Sequence, residues 1–163
     1  MNWYAINTKP HQEYLAELML QRLGVETFCP QIRHSRLVGQ KRATATGPLF
    51  PGYVFARFNL DTHYRAVNYA QGVRKIVAFG QDPAAVNDDL IESIQSKLEN
   101  GYVTVEKPSF ASGQAVRIQE GPFRGFDAVF VHEMSGQQRV VLLLRALTYQ
   151  ARVIVDLEHV AAR

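Results

Sequence analysis

GPLFPGYVFARF, residues Gly47 to Phe58, is the stretch whose reading decides the fold. Pro48 and Pro51 fix the backbone around Leu49 and Phe50, and Gly52 releases it into six residues rich in aromatic and β-branched types. The pattern predicts a turn that feeds a strand. Alternation puts Val54, Ala56 and Phe58 on one face and Tyr53, Phe55 and Arg57 on the other. Both faces are largely apolar. Such a strand is either buried on both sides or offers an aromatic face to something outside the chain, and pattern alone leaves both readings open.

The chain has 163 residues, 47% of them apolar, which is ordinary for a globular protein of one domain or two small ones. No apolar run approaches the roughly 20 residues that span a bilayer. The start, MNWYAINTKP, lacks the charged opening and apolar middle of a signal peptide, so a cytoplasmic protein without membrane contact is expected. Cys29 is the only cysteine, which excludes an intramolecular disulfide and a thiolate zinc cluster. It reads as a small buried hydrophobe.

The net charge of +3 hides an asymmetry. Residues 1–81 hold ten Lys or Arg against four Asp or Glu, whereas 82–108 hold two against six. From 109 onward six arginines meet five acids. A basic first half points to a polyanion, nucleic acid first, or to a plain solvated surface.

Along the chain, Trp3 to Asn7 alternates as a first strand, and Thr8 with Pro10 predicts the start of a helix that runs to Leu23 and stops at Gly24. Val25 to Leu37, interrupted by Pro30, leads into a basic turn around Gly39 to Thr46, giving a hairpin. Its cations are Arg33, Arg36, Lys41 and Arg42, set beside His34 with no acid among them, a composition able to lie along a phosphate backbone. After the central strand, Asp61 or Thr62 caps a short helix ended by Gly72, and Val73 to Phe79 forms another strand. The chain turns over Asp82 to Val86. Asn87 or Asp88 then caps a helix whose apolar face is Leu90, Ile91, Ile94 and Leu98. An antiparallel sheet flanked by helices packs these elements, so the fold class is α+β. Beyond Gly101, short strands at Ala115 to Ile118, Ala128 to His132, Arg139 to Leu144 and Ala151 to Leu157 suggest a small barrel.

The five histidines, at 11, 34, 63, 132 and 159, stand apart from one another and from metal-ligand spacing. There is no Gly-rich phosphate loop and no nucleophile elbow. No cofactor and no catalytic residue is expected. An aromatic strand face, a basic half and a small β domain describe a binding protein.

Trp3-Tyr4, the LFPGYVF core at 49 to 55 and the run at 120 to 126 (Glu120, Gly121, Pro122, Phe123, then Gly125 and Phe126) resemble the NusG family of transcription elongation factors, over nearly the whole chain. The run at 120 to 126 is similar to a KOW motif. PLFP at 48 to 51, FG-x-x-P-A at 79 to 84 and LLL at 142 to 144 resemble the specialised RfaH-like subgroup.

The resemblance implies a polymerase-binding domain over residues 1–101, a linker over 102–109 and a five-stranded KOW barrel over 110–163. It implies that Tyr53 and Phe55, with Leu49 and Phe50 beside them, dock on the clamp helices of the largest RNA polymerase subunit. His63, Tyr64 and Arg65 would touch the second large subunit. Lys9, Arg22 and Gln71 would contact the non-template DNA strand, joined more weakly by Arg33, Arg36, Lys41 and Arg42. Met19, Leu23 and Ala70-Gln71 depart from the RfaH pattern, so its DNA sequence preference does not carry over. The implied protein is a monomeric, non-enzymatic elongation or antitermination factor that recruits a ribosomal protein or Rho through its barrel. A ribosome-associated KOW protein that binds RNA is the alternative.

RfaH-like chains also fold the C-terminal part as a helical hairpin in a closed, autoinhibited state. The run QRVVLLLRAL at 138 to 147 fits either form: Val140, Leu143, Leu144 and Leu147 make a helical stripe, and Val140, Leu142 and Leu144 alternate. Pro122, costly inside a helix, and the β-branched Val153-Ile154-Val155 favour strands. The expectation is a barrel, with the hairpin as the alternative.

Overall fold

The computed structural model describes residues 1–38, 41–105, 115–117, 127–129, 137–141 and 143–148. The strand read from GPLFPGYVFARF is β5, Tyr53–Phe58. It pairs antiparallel with β1 (Asn2–Thr8), with Trp3 opposite Arg57 and Asn7 opposite Tyr53. β2 (Glu26–Phe28) lines the other side of β5, while β6 (Val73–Ile76) and β9 (Ala85–Val86) share the outer side of β1. All pairings in this five-stranded sheet are antiparallel.

The alternation along β5 sorts the two cores as expected. On one face Tyr4, Ile6, Ala56 and Phe58 meet Ala16 and Leu20 of α1 (Glu13–Arg22) and Val67 of α2 (Leu60–Asn68). On the other, Trp3, Ala5 and Phe55 meet Ile91 and Ile94 of α3 (Asp88–Gln95).

Helix boundaries depart from the sequence reading for local reasons. Thr8 is not a cap but the last residue of β1, held there by its N–H donating to the Gly52 carbonyl at 2.8 Å. The chain then turns through Pro10 and His11, whose φ is 58°, and α1 begins only at Glu13. Asn59, rather than Asp61 or Thr62, caps α2, its side chain accepting from the Asp61 N–H at 2.9 Å. Asn87 caps α3 in the same way, accepting from the Asp89 N–H at 3.0 Å. Leu98, expected on the apolar face of α3, instead opens a strand.

A second sheet is built on the long hairpin of β3 (Gln31–Val38) and β4 (Lys41–Pro48), in register from Gln31 opposite Pro48 to Val38 opposite Lys41. Lys41 to Thr46 is therefore strand rather than turn: ladder pairing, helped by the β-branched Thr44 and Thr46, overrides the weak strand preference of lysine and alanine. β10 (Leu98–Glu99) and β11 (Tyr102–Val105) complete this sheet, and β11 runs parallel to β3. The sheet is thus not purely antiparallel, and it takes up the first four residues of the expected linker. The single strand expected over Val73 to Phe79 is divided. β7 (Ala78–Phe79) leaves the main sheet to pair with β8 (Asp82–Pro83), inside the segment expected only to turn.

In the C-terminal part, β12 (Ala115–Arg117) and β13 (Asp127–Val129) pair antiparallel. The strand expected over Arg139 to Leu144 is overturned: residues 137–141 and 143–148 are helical, here called α4. Leu143 and Leu147 are buried in the core that contains Phe55. Local pattern is neutral between the two periods, and this long-range contact selects the helical one. The segment 151–157 and the motif residues Glu120, Gly121, Pro122, Phe123, Gly125 and Phe126 lie outside the described residues. Among the described residues no helix is long and apolar enough to cross a membrane.

Candidate functional site

The Tyr53–Phe55 face begins at a tight turn. The Tyr53 N–H donates to the Phe50 carbonyl at 3.0 Å, with Pro51 and Gly52 between them and Gly52 at φ 82°. This is a type II turn, in which proline suits the first central position and a positive φ the second. Four bonds fix it from outside. The Gly52 N–H donates to Oε1 of Glu13 at 2.8 Å, its carbonyl accepts from Thr8 N–H at 2.8 Å and Asn7 Nδ2 at 3.1 Å, and the Leu49 N–H donates to the Pro30 carbonyl at 2.8 Å. Glu13 and Asn7 are positioning residues that sequence reading missed; their signal is only tertiary.

So held, Leu49, Phe50, Tyr53 and Phe55 come together as expected. Phe50 meets Phe55 edge to face, ring centroids 5.8 Å apart, and Phe28 stacks on Phe55 at 6.1 Å. Phe55 is fully buried, while Leu49, Phe50 and Tyr53 are half-buried. Burial raises the Tyr53 hydroxyl's pKa above the ordinary phenol range, and nearby Arg74 partly counters this. The cover is α4: Leu143, Leu144 and Leu147 pack on this cluster, and Nε of Arg139 donates to the Leu49 carbonyl at 2.7 Å. Inside α4, Thr148 Oγ1 donates to the Leu144 carbonyl at 2.7 Å. The helical stripe in QRVVLLLRAL was the signal for this contact.

His63, Tyr64 and Arg65 belong to α2, which lies on the opposite face of the sheet. Tyr64 and Arg65 are exposed, and Nδ1 of His63 is 2.7 Å from the Thr62 hydroxyl. Thr62, Arg65, Ala66 and Tyr69 line an open concavity of about 600 Å³.

The expected DNA contacts lie on several elements. Lys9 and Gln71 are both exposed and adjoin, because the Lys9 N–H donates to the Gly72 carbonyl at 2.8 Å. Gly72 itself presses on α1: an added Cβ would lie 2.8 Å from the Ala16 backbone nitrogen, at a φ of 86°. Arg22, also exposed, sits at the far end of α1, about 15 Å along the axis. In the hairpin, Arg33 is stacked over the Tyr102 ring at 4.2 Å. In the ladder Arg33 is opposite Thr46, Arg36 opposite Ala43, Leu37 opposite Arg42 and Val38 opposite Lys41.

Cys29 is half-buried, and its thiol is pushed up to about 12, first by burial and then by the charges of Glu17 and Glu13. The Glu17 carboxyl is raised by burial, partly offset by bonds from Thr27 and the Cys29 backbone. Among the described residues no three His, Cys, Asp or Glu side chains gather as a metal site would need.

A sequence model described as transcription termination factor nusG, of the NusG family, matches residues 1–95. The transcription termination/antitermination protein NusG of Helicobacter pylori is 27% identical over 154 residues, covering 88% of this chain and 87% of that protein. Its namesake in Campylobacter jejuni is 28% identical over 137 residues, covering 78% and 77%. A solved structure described as domain interaction in Thermotoga maritima NusG is similar over 80% of this chain and 78% of that one, at 27% identity and a TM-score of 0.48.

Proposed function

The chain belongs to the NusG family, and on that premise we propose that it is a transcription elongation and antitermination factor that docks on RNA polymerase through the aromatic face of β5. Tyr53 and Phe55, flanked by Leu49 and Phe50, receive the clamp helices of the largest subunit. His63, Tyr64 and Arg65 reach the second large subunit from the opposite side of the sheet. Lys9 and Gln71, with Arg22 and the hairpin cations Arg33, Arg36, Lys41 and Arg42, hold the non-template strand. Residues 1–101 constitute the polymerase-binding domain. Past the segment 106–109, residues 110–163 form a KOW module that recruits a ribosomal protein or Rho, and the protein acts as a cytoplasmic monomer.

One observation carries this reading: the aromatic cluster of Phe50, Tyr53 and Phe55 is covered by a helix some ninety residues further along the chain. An exposed aromatic patch invites non-specific association, so a cover drawn from another part of the chain suits a face that must later meet a partner. This supports the RfaH-like subgroup, with a closed form in which α4 masks the docking face. When α4 leaves, its segment joins β12 and β13 in a five-stranded barrel.

The test uses the full-length chain and core RNA polymerase. Leu143→Asp with Leu147→Asp should uncover the face and tighten binding at least about tenfold. Adding Tyr53→Ala and Phe55→Ala should then weaken it by about 2 kcal/mol or more. Tyr53→Ser alone, at a half-buried position, guards against a folding defect. The reading fails if the uncovered chain does not bind, or if it binds equally well without its aromatic residues.

A further inference from the structure

The edge of the docking face carries two cations that no expected contact uses. On β6, Asn7 is opposite Lys75 and Thr8 is opposite Val73, so Arg74 is an extra residue in the ladder, a β-bulge. Strict alternation would send Val73 and Ile76 to opposite faces. Both are buried in the core beneath α1 and α2, which the bulge makes possible. The residues between them are therefore turned together to the other face, the face of Tyr53. Bulges of this kind re-aim side chains beside functional sites.

Three observations locate the pair. Lys75 and Tyr53 are both register partners of Asn7, one on each side, which sets their Cα atoms about 10 Å apart in one row across the sheet. Arg74 is close enough to Tyr53 to favour its ionised form. Both cations are exposed with α4 in place, and neither has an ion-pair partner among the described residues. The cover cannot supply one, since residues 137–148 include Arg139 and Arg145 and no acid.

We infer that Arg74 and Lys75 form a cationic rim to the docking face that reads carboxylates flanking the apolar ridge of the partner protein. The inference rests on the docking reading above. α4 covers Tyr53 and leaves this rim open, but a partner surface broader than one helix that buries Tyr53 comes over the rim, because Lys75 lies in the same row across the sheet. A neutral or basic partner would leave two cations desolvated and unpaired, whereas carboxylates would pair with them and steer the approach.

The rim is tested by the association kinetics of the full-length Leu143→Asp, Leu147→Asp chain with core polymerase free of nucleic acid. Arg74→Glu with Lys75→Glu should slow association about tenfold or more at low salt, with a gap that closes as ionic strength rises, while dissociation changes little. Arg74→Gln with Lys75→Gln should give a smaller slowing of the same kind. Unchanged association after charge reversal, with Tyr53→Ala still impairing binding, overturns the rim and leaves docking intact. A defect that appears only when DNA is present assigns the cations to phosphate and also overturns it. No binding by the uncovered parent chain overturns docking, and the rim with it.

Discussion

The two faces of the five-stranded sheet are both buried, but by different means. Under α1 and α2, Tyr4, Ile6, Ala56 and Phe58 are covered by helices that directly follow the strands they pack on. On the other face, Phe50, Tyr53 and Phe55 are covered in part by α4, which arrives from far along the chain and brings two buried leucines and a bond from Arg139 to a backbone carbonyl. Burying those leucines contributes about 1.5–3 kcal/mol each before the entropy of ordering the helix is counted. Burial therefore does not by itself make Phe55 a structural core residue. One side of the sheet is closed by near neighbours, and the other by α3 and, over the aromatic cluster, by a helix from far along the chain.

The sharpest way to break this contrast is by truncation. Phe58→Ala should cost about 3–5 kcal/mol of global stability in denaturant titration. Leu143→Ala with Leu147→Ala should cost the sheet far less, because the loss stops once α4 has left. Hydrogen exchange should then accelerate over 137–148 alone. Equal global losses would make α4 as much a part of the core as α1. A smaller effect is expected at Cys29, which reports on the α1 side. With a pKa of about 12 in place of 9.0, its alkylation near pH 8 should be roughly 50-fold slower than that of a free thiol, after allowing for the greater nucleophilicity of the more basic thiolate. Releasing α4 should leave that rate unchanged; acceleration would mean that the two sides open together. The smallest effect is expected at Glu17. Its folded pKa lies above the ordinary 4.5, so between those values the folded state holds more protons than the unfolded state, and stability falls as pH rises through that window. Glu17→Gln should give a small rise in Tm at pH 7 that vanishes near pH 4. A rise of equal size at both pH values would remove burial of the charge as its cause.

The strand at 53–58 and its division into two faces were legible because alternation and the Pro51-Gly52 turn agree, and local and tertiary preferences coincide there. The placing of Tyr53 and Phe55 on one face was legible for the same reason, whereas Leu49 and Phe50 joined them only through the family resemblance. Other features were not. Lys41 to Thr46 looks like loop because its strand character comes from pairing with β3 rather than from its own side chains. Arg74 and Lys75 passed unnoticed because a bulge breaks the period of two on which strand reading depends, although two buried apolar residues three apart around two cations is a trace of it. QRVVLLLRAL satisfied both periods, and the Leu143 and Leu147 contacts that decide between them involve residues about ninety positions away. The scattering of Lys9, Arg22 and the hairpin cations over separate elements was invisible to a count of charges along the chain.

The bond from Arg139 to the Leu49 carbonyl has a genetic consequence. Its acceptor belongs to the main chain, so no substitution at position 49 deletes it, and the apolar residues opposite α4 are the same ones proposed to meet the polymerase. Mutations on the sheet side that loosen the cover would thus tend to damage docking as well. If docking requires α4 to leave, heritable changes in how readily it does so would accumulate on one side only, in the sequence of α4, and its release would evolve independently of the surface it covers.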